Sequence, residues 1–230
     1  MTHKYIAAAG VALSFLLGSC AYDNYEAPDA ALTGRIVYQG DPIAVEFNQV
    51  QFDLYEPGWQ KNTPITVTVD QDGSFSALLF NAPYKLVFRP GQGPFMTLAD
   101  TTQVSVSGNT TFDLEVMPYY MVRNAQFSAP SSTTVSASCS LEKIVTDANA
   151  KDVERVTLYV SKTYFVGGGN HIAAVDLGGG DITDPGNISL SAEVPGMVPV
   201  QNYVFARIGL KLVNVEDMIF SPIQKVQLGE

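Results

Sequence analysis

From residue 32 onward, apolar and polar residues alternate with period two almost everywhere, and no other feature constrains the fold as tightly. Gly34-Arg35-Ile36-Val37-Tyr38, Val50-Gln51-Phe52-Asp53-Leu54-Tyr55, Ile65-Thr66-Val67-Thr68-Val69 and Val104-Ser105-Val106 all follow it. Successive side chains of a strand point to opposite sides, so each segment offers one face to a core and the other to water. Turn signals separate the runs: Glu56-Pro57-Gly58, Asp70-Gln71-Asp72-Gly73, Arg89-Pro90-Gly91 and Ser107-Gly108-Asn109. No stretch sustains a helical period between caps. The pattern predicts an all-β protein built as sandwiches.

Met117-Pro118-Tyr119-Tyr120 divides the strands into two series, the second opening with Ala125-Gln126-Phe127. Proline cannot donate to a sheet ladder, so it interrupts pairing where the first series would run into the second. Two tandem sandwiches, over 32–117 and 118–230, suit usual domain sizes better than one large one. Later strands are expected at Val135–Leu141, Val153–Ser161, Ile188–Val194, Tyr203–Leu212 and Ile223–Leu228.

The first 20 residues carry a different signal. Lys4 precedes an apolar run from Ile6 to Leu17, the length of a signal-peptide core and short of the roughly 20 residues that span a bilayer. Leu17-Gly18-Ser19-Cys20 resembles a bacterial lipobox. The resemblance implies a signal peptide over 1–19, lipidation of Cys20, and a tether over 20–31. Two or more acyl chains hold a protein stably where one does so only marginally. An ordinary cleaved signal with an incidental cysteine is the alternative. Processing would leave His171 as the sole histidine and Cys139 as the sole thiol of the folded part. Cys139, within an alternating strand, reads as a small buried core residue.

Charge and residue supply exclude several functions. Thirteen basic against 23 acidic residues give a net charge of −10, without the basic stripe that a phosphate backbone requires, so nucleic acid is not an expected partner. One histidine without a neighbouring nucleophile does not provide for Ser–His or Cys–His chemistry, nor for a His-rich zinc site. The expectation is a protein that is not an enzyme and carries no cofactor.

Candidate ligand contacts are few. Trp59, the single tryptophan, lies in the turn-rich Glu56-Pro57-Gly58-Trp59-Gln60-Lys61-Asn62. It is either an exposed ring for stacking on a sugar or a lid folded over the first core. Tyr164 and Phe165 precede Val166-Gly167-Gly168-Gly169-Asn170-His171, a flexible loop that would present the ring pair and His171 to a ligand; the alternative is that the rings end a core strand. Asp176, Asp181 and Asp184 share an acidic, glycine-rich loop that offers oxygen ligands to calcium but lacks EF-hand spacing, which favours a solvated loop.

The first domain resembles the carboxypeptidase-regulatory-like, or transthyretin-like, sandwich. The resemblance rests on Leu32-Thr33-Gly34-Arg35-Ile36-Val37, the Asp-Gly hairpin at Val69–Phe75, Asn81–Val87 and Ser107–Leu114. Pro83 stands where that family usually has glycine, which implies a different turn there. The second domain resembles a fibronectin-III or immunoglobulin-like sandwich. The whole chain resembles a Bacteroidetes lipoprotein family known as a domain of unknown function, through Asp23–Asp29, Gly93-Pro94-Phe95 and Met117-Pro118-Tyr119. The resemblance implies an outer-membrane, cell-surface accessory of a polysaccharide-utilisation system. Carbohydrate binding and a starch-utilisation-type receptor as partner are the expected activities. The other expectation is a structural subunit of such a receptor with no sugar binding of its own. Replacing Cys20 with alanine is expected to move the mature protein from the membrane fraction to the soluble fraction, read by detergent partitioning.

Overall fold

The computed structural model describes residues 26–58, 63–97 and 101–229. The signal peptide, Cys20, the first half of the tether (20–25) and Trp59 lie outside the described residues. Among those residues no helix is long and apolar enough to cross a membrane.

The architecture is two tandem β-sandwiches. The first runs through β1 (Ala30–Tyr38), β2 (Asp41–Pro42), β3 (Ala44–Val45), β4 (Gln51–Tyr55), β5 (Ile65–Thr68), β6 (Ser74–Leu79), β7 (Ala82–Phe88), β8 (Thr102–Val106), β9 (Asn109–Thr111) and β10 (Leu114–Glu115). One sheet is organised around β1, which pairs antiparallel with β6 and β2 and parallel with β9 and β10. The facing sheet is β5-β4-β7-β8, antiparallel throughout. Ala30 and Ala31, assigned by sequence to the tether, already pair with Leu79 and Leu78.

Alternation delivers the core. Leu32, Ile36, Phe52, Leu54, Tyr84 and Leu86 are fully buried, each contributing about 1.5–3 kcal/mol of transfer free energy. Phe52 meets Phe75 and Phe88 edge to face at 5.0 and 5.6 Å. Gly34 is there because β1 passes too close to the chain at Phe112 for a side chain: a Cβ would lie 1.8 Å from the Phe112 carbonyl oxygen. The Asp70–Gly73 turn, expected to close a hairpin, carries the chain from one sheet to the other, since β5 pairs with β4 and β6 with β1. Its chemistry is as expected from the letters: Gly73 has φ +84°, and the Asp72 carboxylate accepts the Ser74 N–H at 3.0 Å.

On the outer face of the second sheet, Asp53 is buried and accepts two hydrogen bonds from Arg89, from Nε and Nη2, both at 2.8 Å, and a third from Thr66 at 2.8 Å. The Arg89 guanidinium, with Thr66, holds the Asp53 carboxyl below its ordinary value against the cost of burial.

The second sandwich comprises β11 (Tyr120–Ser131), β12 (Thr134–Lys143), β13 (Val153–Ser161), β14 (Ala173–Gly178), β15 (Ile188–Glu193), β16 (Tyr203–Leu212), β17 (Ile219–Phe220) and β18 (Gln224–Gln227). Sheet β11-β12-β15 faces sheet β14-β13-β16-β17, to which β18 adds along β16. Cys139 is a core residue, and burial pushes its thiol up to about 11, which keeps it unreactive.

The sandwiches are not merely strung together. β3 of the first pairs antiparallel with β17 of the second, Val45 with Ile219 and Ala44 with Phe220, so a sheet crosses the domain boundary. Beneath this pairing lies Arg207, with no exposed surface. Its Nη1 donates to the Val45 carbonyl at 2.9 Å, and its guanidinium stacks 3.7 Å above the Phe220 ring. Burial lowers its pKa to about 10, so it stays charged at neutral pH, with the Glu46 carboxylate acting in support. Nε and Nη2 lack hydrogen-bond partners among the described residues. Further ties are the Gly93 N–H to the Asp217 carboxylate at 2.6 Å and the Tyr119 N–H to the Pro94 carbonyl at 3.3 Å.

Two outcomes follow. Arg207→Ala leaves a void and two domains with one fewer tie, and is expected to cost about 3 kcal/mol. Arg207→Met, which keeps volume and removes the unpartnered N–H groups, is expected to cost about 1 kcal/mol or less; urea melts of both variants check the order. For Asp53, whose folded pKa is lowered, the stabilisation is present above its ordinary value of 3.8 and lost as pH falls through the folded pKa. The melting-temperature gap between the parent and Asp53→Asn is therefore expected to close as pH drops below that value.

Candidate functional site

β16 sends its even-numbered side chains, Val204, Ala206, Ile208 and Leu210, into the core of the second sandwich. Its odd-numbered side chains, Tyr203, Phe205 and Arg207, stand on the opposite face. The first sandwich covers that face over Arg207 but not over Phe205 and Tyr203, which are half-buried. The β13–β14 loop folds across this margin and brings Tyr164 and Phe165 to it.

The result is a strip of five aromatic rings in unbroken contact across the domain junction. Phe47 of the first sandwich meets Phe165 at 4.6 Å; Tyr164 lies 6.5 Å from Phe165 and 5.8 Å from Phe205; Phe205 lies 5.8 Å from Tyr203. The Lys225 ammonium caps the far end, 3.8 Å above the Tyr203 ring. Three of the rings are substantially open to solvent: Phe47 at 39%, Tyr164 at 52% and Phe165 at 43%. Successive rings pack edge to face, at 61°, 72°, 88° and 87°, so the strip presents stepped faces rather than one plane. Amide groups border it: Gln201 Nε2 donates to the Lys162 and Tyr203 carbonyls, and Gln227 Nε2 to that of Asn202.

The loop expected to be flexible is pinned. Gln71, buried in the first sandwich, donates to the Tyr164 carbonyl at 3.0 Å and accepts the Val166 N–H at 3.4 Å. The Glu46 carboxylate accepts the N–H groups of Gly168 and Gly169 at 3.2 and 3.4 Å. A Cβ at Gly167 would fall 2.2 Å from a Glu46 oxygen, so the glycines permit close approach of the carboxylate as well as a turn.

Of the residues singled out by sequence, Tyr164 and Phe165 belong to the strip. His171 does not share their contacts: its Nδ1 donates to the Gly167 carbonyl at 2.9 Å, and its ring, itself exposed, meets Tyr159 at 5.6 Å. The three loop aspartates have separate partners. Asp176 accepts from the Thr157 hydroxyl at 2.5 Å, Asp184 accepts the Gly186 N–H at 2.8 Å, and Asp181 ends a short 3₁₀ turn. Among the described residues no group of three or more His, Cys, Asp or Glu side chains gathers in a geometry that would hold a metal ion. Phe47, Phe205 and Tyr203 were missed by sequence reasoning. Phe205 and Tyr203 read as strand residues, and only the alternation of β16, with Val204 and Ala206 inward, signals that they face out.

Comparison with known proteins follows from this geometry. Residues 30–117 match the model of the N-terminal domain of DUF3823, a protein of unknown function, and residues 120–225 match that of the domain of unknown function DUF3823_C. The fold is similar to a DUF3823 family protein from Parabacteroides merdae, with 35% identity, a TM-score of 0.78, and 88% of this chain and 100% of that one covered. A DUF3823 family protein from Bacteroides ovatus is similar at 32% identity and a TM-score of 0.77, covering 86% of this chain and 99% of that one. An inferred carbohydrate-binding protein from Bacteroides uniformis shares the fold at 19% identity and a TM-score of 0.68, covering 87% of this chain and 100% of that one. No curated protein matches the chain.

Proposed function

We propose, starting from the fact that this chain belongs to the DUF3823 family in both of its domains, that it binds carbohydrate as a lipid-anchored accessory protein of an outer-membrane glycan-utilisation system. The observation that carries the reading is the aromatic strip. Exposed rings attract the C–H faces of sugars, and amide and ammonium groups beside them hydrogen-bond the hydroxyls. Phe47, Tyr164 and Phe165 supply the rings, Gln201, Gln227 and Lys225 the polar border. Stepped faces suit a glycan chain that turns from residue to residue better than a flat ribbon. The inferred carbohydrate-binding character of the Bacteroides uniformis neighbour supports the same ligand class.

The function is binding without chemistry. The Cys139 thiol is buried, and among the described residues no hydrogen bond joins His171 to a serine, threonine or cysteine that it could activate. Cys20 anchors the molecule, and a starch-utilisation-type receptor is the partner the reading implies.

The tied domain junction favours a second reading, a structural subunit that holds a neighbouring receptor and binds no sugar. A rigid two-domain body transmits position better than a hinged one.

Calorimetry and affinity gels with a panel of neutral polysaccharides, on residues 21–230, separate the two. Binding is expected, and Tyr164→Ala and Phe165→Ala are each expected to weaken it roughly five- to tenfold, about 1 kcal/mol per ring. No binding to any glycan, together with retrieval of an outer-membrane receptor in pull-downs, replaces the first reading with the second.

A further inference from the structure

A second concavity, of about 550 Å³, opens on the outer face of the first sandwich, in the other domain from most of the strip. Its volume falls within the usual range for small-ligand sites, about 300–1,000 Å³. Its floor is a row across three strands: Tyr55 of β4 pairs with Lys85 of β7, and Lys85 with Gln103 of β8. Val87 and Thr101 lie alongside, and Glu56 follows Tyr55 at the rim. Pro57 and Pro83 form part of the wall, two residues with preset backbones.

Lys85 distinguishes this concavity from an ordinary sheet face. The chain has ten more acidic than basic residues, and the neighbouring cation just past β7, Arg89, is taken by Asp53 at 2.8 Å. Lys85 has no ion-pair partner among the described residues, and it stands between an aromatic ring and an amide. A single ammonium in the lining makes the site unfit for a polyanion such as a phosphate cluster. It suits a ring that carries one carboxylate and several hydroxyls, with the carboxylate at the Lys85 ammonium. Gln103 and Thr101 both donate and accept, and the C–H face lies on Tyr55 and Val87.

We propose that the Tyr55–Lys85–Gln103 concavity is a second glycan site, selective for uronic acid residues of an acidic polysaccharide. It shares with the strip only the premise that the ligand is a glycan; its residues and its ligand's charge are its own.

Titration of residues 21–230 with oligogalacturonate and oligoglucuronate, against the same oligomers with their carboxylates reduced to alcohols, tests it. Uronate oligomers are expected to bind at low salt and weaken as salt rises, while the reduced oligomers bind this site at least about tenfold less tightly. Lys85→Gln is expected to lose uronate affinity about tenfold, Lys85→Arg to recover part of it, and Tyr164→Ala to leave it unchanged. Lys85 is exposed on the sheet surface, so thermal melts of its variants should match the parent's. Uronate binding that is absent, or that survives Lys85→Gln, overturns the proposal. So does equal competition by polyglutamate, which would make the site a reader of acidic peptide. Neutral glycans that bind through Tyr164 while uronates do not bind remove this site and leave the strip. Lys85-dependent uronate binding without neutral binding does the reverse.

Discussion

The structure depends on one shared piece of sheet, the pairing of β3 with β17 over the buried Arg207. A guanidinium stripped of water is costly, and it is tolerated here because Phe220 stacks on it, the Val45 carbonyl accepts from it and the Glu46 carboxylate supports its charge. Every group in that set except Phe220 belongs to the opposite sandwich. Arg207 is thus satisfied only when the two domains are docked in one register, which makes the arginine a determinant of the interdomain geometry. Most buried apolar side chains of both sandwiches form one connected cluster, and a second joins Ala44 of the first sandwich to Tyr159, Val166, Met218 and Phe220 of the second, consistent with docking rather than tethering.

That geometry creates the strip. Tyr164 and Phe165 sit on a loop whose backbone is bonded to Gln71 and Glu46, and both partners belong to the first sandwich. Phe47, one residue past Glu46, completes the row. The same loop that hides Val166 under the junction leaves the neighbouring rings open. Gly167 here is a device for close packing: the Glu46 carboxylate occupies the space that a side chain at 167 would need, and the N–H groups of Gly168 and Gly169 replace part of its hydration.

The alternating pattern was enough to place β4, β5, β12, β13 and β16 and to separate their inner from their outer residues, because strand geometry ties every second position to one face. It did not reveal that β3, only two residues long, leaves its own domain's sheets for the other's. No local preference encodes the choice between two acceptable edges. The Asp70–Gly73 turn shows the same division. Its residues dictate φ and the Asx hydrogen bond, but whether the strands it joins pair with each other depends on partners far away in the chain. Cys139 was legible as core because its neighbours alternate. The dispersal of Asp176, Asp181 and Asp184 was not, since Thr157 and Gly186 claim two of them through contacts that spacing does not display.

By itself the sequence determined the secondary structure class, the two-part division and the aromatic pair at 164–165, since these follow from periodicity, proline and residue type, which act locally. The tertiary structure decided which rings stand beside that pair and which loop is rigid. It also decided that Lys85 faces a concavity with no ion-pair partner among the described residues. Those outcomes depend on distances between segments tens to more than a hundred residues apart, and a distance of that kind is set by burial and hydrogen bonding across the whole molecule.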